Sequence, residues 1–376
     1  MPKDGNGVGI RSLGACLPKT VRSNAWWIEN GFPVTPSGVI NESHSRVAND
    51  RASPAWRAAS RWTDDPFRGA KERRAIDEDH EASDLEVAAC TQALEGLQGE
   101  PSEVQTLLGY STVSDDAGLG NHGLVAHRLP SLGQPLSAMT VAASCASFVP
   151  QFIHASRLCT DGRSALLFQS SATSRIIDYT DPTSTQLGDA AVAQVVGPVE
   201  EGLGFVDGLQ LTKGGLREGI VLAATDGRRR WYESGAPESR MVIQARDPRL
   251  AVQMGTSGPN YAAEACHALL ERNQLTTDDV DFFICAQAGV WFGEACAAVI
   301  GIDDRRIVPA EEHFQRFAHT LSASAPLNLW VAWSSGRLKK GDLVLIYIPG
   351  AGFTQAAALL RWSMNPPEAP FPFVEL

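Results

Sequence analysis

The segment SAMTVAASCASFVPQFIHASRL, residues 137–158, joins an apolar strand pattern directly to a helical pattern. The join falls at Ala143-Ser144-Cys145-Ala146, which is a run of small residues. The free amide groups and the positive dipole end at the start of a helix favour a thiolate over a thiol. The segment therefore predicts that a strand delivers Cys145 to the first turn of a helix, where it is a candidate nucleophile. The alternative is a cysteine that only packs, as a small apolar residue.

Strand and helix patterns alternate on both sides of this segment. Helical spacing of apolar residues occurs over residues 85–97, 261–272 and 325–334. Strand patterns cover residues 106–112, 164–170, 190–196, 219–223, 280–286, 343–349 and 354–362. Ser83-Asp84 is the expected cap of the first helix, and residues 40–80 predict loops and short helices. The alternation indicates an α/β protein with largely buried sheets.

The composition excludes several classes of protein. Of the 376 residues, 44% are hydrophobic and 20% are charged, which is enough for a large core and for two domains. The net charge of −11 argues against a protein that binds nucleic acid, because such surfaces are basic. No run approaches the ~20 apolar residues that span a bilayer, and the amino terminus does not resemble a secretion signal. We therefore expect no membrane insertion and no secretion.

The cysteines indicate a reducing, cytoplasmic environment. Their count is odd, and they lie within apolar runs and not at the regular spacing of a disulfide framework. The seven positions are Cys16, Cys90, Cys145, Cys159, Cys266, Cys285 and Cys296. No group of cysteines and histidines has the spacing of a zinc site, and no motif of a phosphate-binding or dinucleotide-binding loop is complete. We expect neither a metal nor a cofactor.

Four segments, taken together and in order, resemble one enzyme family. They are ERRAIDEDHEASDLEVAA (72–89), ASCASF (143–148), SALLFQSSATSRIIDYTDPTSTQLGDAAVAQVVG (164–197) and GDLVLIYIPGAGFTQAAALLRW (341–362). They are similar to segments of the beta-ketoacyl-acyl-carrier-protein synthase III family, in a divergent form that resembles antibiotic-pathway acyltransferases. The resemblance implies a thiolase-like, five-layered αβαβα fold built from two similar halves. We expect residues 1–198 to carry the nucleophilic cysteine and residues 199–376 to carry the histidine and the Gly-rich turn.

The resemblance also implies a role for Cys145. In the family, this cysteine attacks a thioester and holds the acyl group, while backbone amides stabilise the oxyanion. By position, the two donors here are the amides of Cys145 and Ala351, the latter in the turn Gly350-Ala351-Gly352. A tight strand connection that needs glycine is the structural alternative for this turn, and both readings are compatible.

Two positions depart from the family pattern. The family's catalytic His corresponds to Ala286, in the run CAQAG (285–289), and its catalytic Asn corresponds to His319, in AHTLSAS (318–324). Decarboxylation of a malonyl thioester then has at most one of its two donors, and one lost donor costs about 100- to 1000-fold in rate. A neutral imidazole at 319 is able instead to accept a proton from a hydroxyl or amine.

These departures predict an acyltransferase that acts on an alcohol or amine in secondary metabolism, such as a polyketide pathway. One alternative is a divergent ketosynthase III that forms a carbon–carbon bond. Another is a non-catalytic partner subunit, and His319 would then be an ordinary core or loop histidine. A backbone carbonyl or a carboxylate is expected to orient His319, with Glu294, Glu311 and Glu312 as candidates. His313 is expected at the surface.

The resemblance implies that the acyl group arrives on coenzyme A or on an acyl carrier protein, both of which are negatively charged. Possible phosphate or carrier contacts are Arg68, Arg73 and Arg74, beside Lys71, and a second basic cluster is Arg228, Arg229 and Arg230. The family often has a Trp where this chain has Asp64, and Trp62 is a possible substitute. A homodimer is expected, with residues 118–123 and 178–187 contributing to the acyl pocket. Residues 34–62 are expected to reshape the acceptor side.

Overall fold

The computed structural model describes residues 4–34, 54–62, 64–159, 161–227, 233, 235–369 and 371–376. The predicted basic cluster Arg228, Arg229 and Arg230 lies outside the described residues, as does most of the stretch 34–62. The described part of residues 40–80 includes one short helix, Pro54–Ser60, and one short strand, Glu72–Arg74. The prediction of loops and short helices there is consistent with these two elements.

The first sheet is built largely from the amino-terminal half of the chain. Its strands are β1 (Val8–Leu17), β4 (Val104–Ser111), β5 (Ser137–Thr140), β6 (Ser164–Ser171), β7 (Ala190–Pro198) and β14 (Val374–Glu375). Their order is β14-β1-β7-β6-β4-β5. Strand β4 runs parallel to both β5 and β6, whereas β7 is antiparallel to β1 and β6. Every residue of β6 is buried, as expected for a strand that is covered on both faces.

The second sheet is smaller and comes from the carboxyl-terminal half. Its strands are β8 (Gly204–Thr212), β11 (Phe282–Cys285), β12 (Leu343–Gly350) and β13 (Thr354–Arg361). Their order is β11-β12-β13-β8, with β11 parallel to β12 and the other pairs antiparallel. Two further strand pairs are β2 (Val21–Ser23) with β3 (Glu72–Arg74), and β9 (Val221–Ala224) with β10 (Met241–Gln244).

Helices cover both sheets and also separate them. They are α1 (Asn24–Glu29), α2 (Pro54–Ser60), α3 (Ala82–Glu95), α4 (His122–Arg128), α5 (Phe148–Leu158), α6 (Pro248–Arg272), α7 (Phe292–Ile300), α8 (Phe314–Phe317) and α9 (Ser324–Ser334). Helices α5 and α9 share one apolar core with strands of both sheets. Helices α3 and α4 pack on the outer side of the first sheet, and α6 and α7 on the outer side of the second. The layers therefore alternate as αβαβα.

Most elements predicted from the sequence are present with shifted ends. The first long helix begins at Ala82, and Glu81 and Asp84 form its capping box in place of the predicted Ser83-Asp84 cap. Helix α6 begins at Pro248, which is 13 residues earlier than predicted. The prediction missed its first turns because they carry small and polar residues. Strand β9 begins at Val221, after a short 3-10 turn. The division at residue 198 stays a prediction, although β14 returns to the first sheet from the chain's end.

No helix in the described part of the chain is both long enough and apolar enough to cross a membrane.

Candidate active site

Cys145 lies in a tight turn between β5 and α5. Helix α5 begins at Phe148, so the prediction that Cys145 lies in the first helical turn is wrong by three residues. The physical reason is a local hydrogen-bond pattern: the Ser147 hydroxyl accepts from the Ala143 amide at 2.8 Å and donates to the Ser144 carbonyl at 2.6 Å. Ser144 has a φ of 52°, a strained conformation for a residue other than glycine. The turn thus presents Cys145 outside the regular helix.

The amides predicted to form the oxyanion hole both face the Cys145 thiol. Burial raises the pKa of Cys145 to about 11, and the backbone amides of Ala351 and of Cys145 itself act in the opposite direction. The turn that carries Ala351 approaches this segment closely, because a Cβ at Gly350 would lie 2.5 Å from the carbonyl oxygen of Ala143. Gly350 is therefore required for close approach, and Gly352 has the positive φ of 81°. The structure brings Cys145 and the Gly-rich turn together.

Tyr110 is a neighbour of Cys145 that the sequence analysis missed. It lies near the carboxyl end of β4, beside β5, the strand that leads to the Cys145 turn. Burial and the nearby Cys145 raise the pKa of Tyr110 to about 12, and a hydrogen bond with the Ser144 side chain lowers it. The phenol of Tyr110 lies close to the thiol of Cys145 and is neutral at physiological pH. No spacing in the sequence connects a tyrosine at a strand end to a cysteine 35 residues later.

The backbone of His319 is fixed by a neighbouring loop. Its amide donates to the carbonyl of Gln186 at 2.8 Å, and its carbonyl accepts from the amide of Gly188 at 3.2 Å. Ala318, the preceding residue, has a φ of 55° and turns the chain out of the short helix α8. Gln186, in the segment 178–187 that is predicted to contribute to the acyl pocket, thus holds the backbone of the candidate base within the same chain.

The imidazole of His319 is neutral at physiological pH. Burial lowers its pKa to about 4, and the backbone carbonyl of Gln287 partly opposes this shift. Its Nδ1 atom is buried and has no hydrogen-bond partner. A neutral imidazole is able to accept a proton, which the amide of an asparagine is not.

Contacts between the two halves tie the His319 segment to the strand ends around Cys145. The Ser322 hydroxyl donates to the carbonyl of Ser170 at 2.6 Å and lies 2.8 Å from the hydroxyl of Thr112. The Gln287 amide donates to the Ser324 hydroxyl at 2.9 Å. Ser170 lies near the end of β6, and Thr112 directly follows β4, which is the strand between β6 and the strand β5 that leads to Cys145.

Ala286, at the family's His position, is fully buried. Its amide donates to the carbonyl of Tyr347 in β12, at 3.2 Å. Ala286 shares one apolar cluster with Ala146 and Ala323, which flank Cys145 and the His319 segment. The position therefore adds an apolar wall to the site and no donor side chain.

None of the three candidate carboxylates orients His319. Glu312 forms a bidentate ion pair with Arg337, with both distances at 2.6 Å. Glu294 is paired with Arg61, and Glu311 is exposed. The backbone carbonyl of Gln287, the other possibility from the sequence, is the group that acts on His319.

His313 is buried, so its predicted surface position is wrong. Its side chain is 0% exposed, because the residue precedes helix α8 and faces inward against Phe317. Neither ring nitrogen has a hydrogen-bond partner. A buried histidine without a polar partner follows no sequence pattern, so the sequence did not predict this position.

Two of the three arginines predicted to contact phosphate have hydrogen-bond partners within the protein. Arg73 is 1% exposed, lies over the ring of Trp27 and donates to the Thr185 carbonyl, so the prediction of a surface contact is wrong. Arg74 is half-buried and donates to Glu375 and to the Pro18 carbonyl, both at 2.9 Å, and its phosphate contact stays a prediction. Arg68 is half-buried, and its Nε atom has no partner. It remains a candidate.

Trp62 lines a surface cavity that reaches the site. The cavity has a volume of about 290 Å³, and Gln287 and Val290 also line it. Trp62 packs on the small apolar cluster that contains Val290, Phe314 and Ala318, whereas Asp64 is exposed. Among the described residues, no three His, Cys, Asp or Glu side chains are grouped so that they would hold a metal ion.

Comparisons with known proteins agree on one family. The model "3-Oxoacyl-[acyl-carrier-protein (ACP)] synthase III" matches residues 139–219, and its C-terminal counterpart matches residues 270–362. Beta-ketoacyl-[acyl-carrier-protein] synthase III of Solibacter usitatus is 30% identical over 305 residues, which cover 78% of this chain and 88% of that protein. The Staphylococcus saprophyticus enzyme of the same name is 28% identical over 94% of this chain and 99% of its own length.

The likeness extends to solved structures. The priming beta-ketosynthase of the R1128 polyketide pathway superimposes with a TM-score of 0.75 at 20% identity, covering 98% of this chain and 99% of that one. This confirms the predicted thiolase-like α/β fold. Enzymes of the matched family act without a cofactor and use acyl-coenzyme A and acyl carrier protein as substrates.

Proposed function

Because this chain belongs to the beta-ketoacyl-[acyl-carrier-protein] synthase III family, we propose that it is an acyltransferase with Cys145 as acyl carrier and His319 as base. It takes an acyl group from a coenzyme A or carrier-protein thioester and transfers it to an alcohol or amine. The observation that carries this proposal is the pairing of an apolar Ala286 with a neutral His319. The site has lost a donor for decarboxylation and gained a proton acceptor.

The reaction proceeds in two balanced steps. First, the Cys145 thiol loses its proton, its sulfur attacks the thioester carbonyl, and the donor thiol leaves with a proton. The amides of Cys145 and Ala351 stabilise the oxyanion that forms on the carbonyl oxygen. Second, His319 takes the proton of the acceptor hydroxyl or amine as that atom attacks the acyl carbon. The carbon–sulfur bond breaks, and the proton passes from His319 to the Cys145 thiolate.

The cavity beside Trp62 supports access for one of the substrates. It reaches Gln287, whose carbonyl acts on His319, and its apolar lining includes Val290 and Pro309. Arg68 is half-buried, unlike the buried Arg73, and its unpartnered Nε atom keeps it as the candidate phosphate contact. A site that is poorly suited to carbon–carbon bond formation also supports a role outside primary fatty-acid synthesis, in secondary metabolism.

A homodimer is part of the proposal. Strand β5 forms the edge of the first sheet, and its Met139 is 42% exposed. Leu119, in the predicted pocket loop 118–123, is 70% exposed. An unpaired strand edge with exposed apolar side chains is suited to pairing with a second copy.

Carbon–carbon condensation is the second candidate function. The names of the relatives favour this function, because the two proteins compared above, at 28% and 30% identity, are both named synthases. Cys145 and its two amides suit both reactions, so the difference lies in the second step alone.

Mass spectrometry of the intact protein tests the proposal. The purified chain is incubated with acyl thioesters on coenzyme A and on carrier protein, beside the variants Cys145→Ala and Cys159→Ala. We expect an acyl mass gain in the wild type and in Cys159→Ala, none in Cys145→Ala, and loss of the gain when an alcohol or amine is added. No mass gain with any donor would contradict the covalent mechanism and leave a non-catalytic partner subunit as the better explanation.

A further inference from the structure

Residues 371–376, which we call the strap, run from the core between the two sheets to the first sheet. They lie beyond residue 362, where the match to the family model ends. Strand β14 lies within the strap and pairs in parallel with β1. The Pro372 carbonyl accepts from Nε2 of Gln92 at 2.9 Å. The strap is therefore held on the first sheet by ordered backbone contacts.

Phe373 of the strap lies between helices α8 and α9. Its ring stacks on Trp330 in α9, with 4.2 Å between the centroids and 22° between the planes. It also meets Phe317 in α8 edge-on, at 5.4 Å and 81°, which is a favourable arrangement of aromatic rings. Phe371, two residues earlier, contacts Trp333 in α9 at 5.4 Å. Phe373 therefore joins α8 to α9, whereas Phe371 packs on α9.

Phe317 connects the strap to His319. It is the last residue of α8, lies two positions before His319 and is 1% exposed. Its carbonyl oxygen lies against Gly188, where a Cβ would be 2.3 Å away. The Gly188 amide donates to the His319 carbonyl at 3.2 Å. Phe317, Gly188 and the backbone of His319 thus form one packed unit.

The imidazole of His319 depends largely on this backbone for its position. The Gln287 carbonyl acts on the ring, and the Nδ1 atom has no hydrogen-bond partner among the described residues. Helix α8 spans only the four residues Phe314–Phe317, and a single turn is not stable without tertiary packing. Ala318, with its φ of 55°, is a strained link between α8 and His319. The contacts that hold Phe317 therefore also hold the imidazole.

We propose that Phe373 is a positioning residue for His319. By packing against Trp330 and Phe317 it fixes the end of α8, and α8 in turn fixes the base. This inference rests on the proposed function, in which His319 takes the acceptor's proton. Loss of the Phe373 ring leaves space beside Phe317, and the imidazole then moves away from the acceptor. A displacement of about 1 Å costs about 100-fold in rate. Acylation of Cys145 does not involve this contact.

Three variants of the strap separate positioning from general packing. Phe373→Ala removes the ring that contacts Phe317, and Phe373→Leu restores part of its volume. Phe371→Ala is the matched control, because it removes the same ring from the same segment at the contact with Trp333. We expect discharge of the acyl-enzyme to slow by about 10- to 100-fold in Phe373→Ala and by less in Phe373→Leu. Discharge in Phe371→Ala, and loading of Cys145 in all three variants, should match the wild type. Equal discharge rates in the two alanine variants would contradict the positioning role.

Hydrogen–deuterium exchange, measured by mass spectrometry, decides the inference independently of activity. We expect the amides of residues 314–319 to exchange about tenfold faster in Phe373→Ala than in the wild type or Phe371→Ala, because local opening becomes easier. Peptides that cover residues 143–148 should exchange equally in all of these proteins.

Equal exchange of residues 314–319 in the two alanine variants would overturn the positioning role. If Phe373→Ala does not fold, Phe373→Leu takes its place in both comparisons with Phe371→Ala. If the wild type forms no acyl-enzyme, the proposed function fails, yet the exchange rates still decide whether Phe373 holds the His319 segment.

Discussion

The two sides of the site differ in how they are made. The nucleophile side consists of backbone: the Cys145 turn and the Gly350-Ala351-Gly352 turn approach closely and direct amides at the thiol. The base side consists of side chains: the half-buried His319 and the buried His313 stay neutral, and the buried Ala286 supplies no donor. The first side keeps the pattern of its family, and the second departs from it. Under the proposed function, this difference means that acyl capture is retained while the chemistry of the second step has changed.

The largest expected effect separates the two sides directly. His319→Ala removes the proton acceptor, so discharge of the acyl-enzyme to an alcohol or amine should slow by about 100- to 10,000-fold. Loading of Cys145 should be unaffected, since backbone amides support that step. Single-turnover mass spectrometry measures both rates, with His127→Ala as a control at an exposed histidine. Equal discharge rates in His319→Ala and the wild type would show that the base lies elsewhere.

The complementary change acts on the nucleophile side. Ala351→Pro removes one amide donor of the oxyanion hole, so loading of Cys145 should slow by about 100- to 1000-fold. Ala351→Ser keeps the amide and is the matched control. Circular dichroism shows whether the proline variant is folded. Equal loading rates in the folded proline variant and the serine variant would contradict the role of the Ala351 amide in the oxyanion hole.

The pKa of Cys145 gives a pH dependence to the first step. Since burial raises the pKa to about 11, the thiolate is a minor species at neutral pH. Alkylation by iodoacetamide should accelerate about tenfold per pH unit from pH 7 to 10, following the thiolate fraction. Subtracting the rate of the Cys145→Ala variant isolates this residue. A rate that levels off near pH 8 would mean that the amides dominate over burial.

The base side should make the fold sensitive to acid. The folded pKa values of His313 and His319, about 3 and about 4, lie below the ordinary 6.5. Below pH 6.5 the unfolded chain binds protons that the folded chain does not, so stability is lost as the pH falls toward 4. Between pH 6.5 and its folded pKa, each histidine lowers the free energy of unfolding by about 1.4 kcal/mol for each pH unit of acidification.

Urea unfolding at pH 7, 6 and 5 checks this sensitivity. The His313→Leu variant should lose less stability per pH unit than the wild type, because one of the two titrating rings is gone. Identical slopes for the two proteins would contradict the buried, neutral state of His313.

The same contrast explains what the sequence was able to predict. The strands, the Gly-rich turn and Cys145 follow from local patterns, because small residues and apolar runs report directly on backbone geometry. Tyr110 was missed and His313 was wrongly expected at the surface, because both positions depend on contacts between distant segments. A backbone carbonyl was expected near His319, but the sequence did not identify it as that of Gln287. Arg73 was misassigned for a related reason: a basic run does not reveal which side chain turns inward.

The most direct test of the central claim compares the two possible fates of one acyl-enzyme. Cys145 is loaded with an acyl group, the excess donor is removed, and the protein is offered malonyl carrier protein labelled at its free carboxylate together with a panel of alcohols and amines. We predict an ester or amide product that forms as the acyl mass disappears, with no release of labelled carbon dioxide. Release of carbon dioxide in proportion to the loss of acyl-enzyme would contradict the account and identify a condensing enzyme.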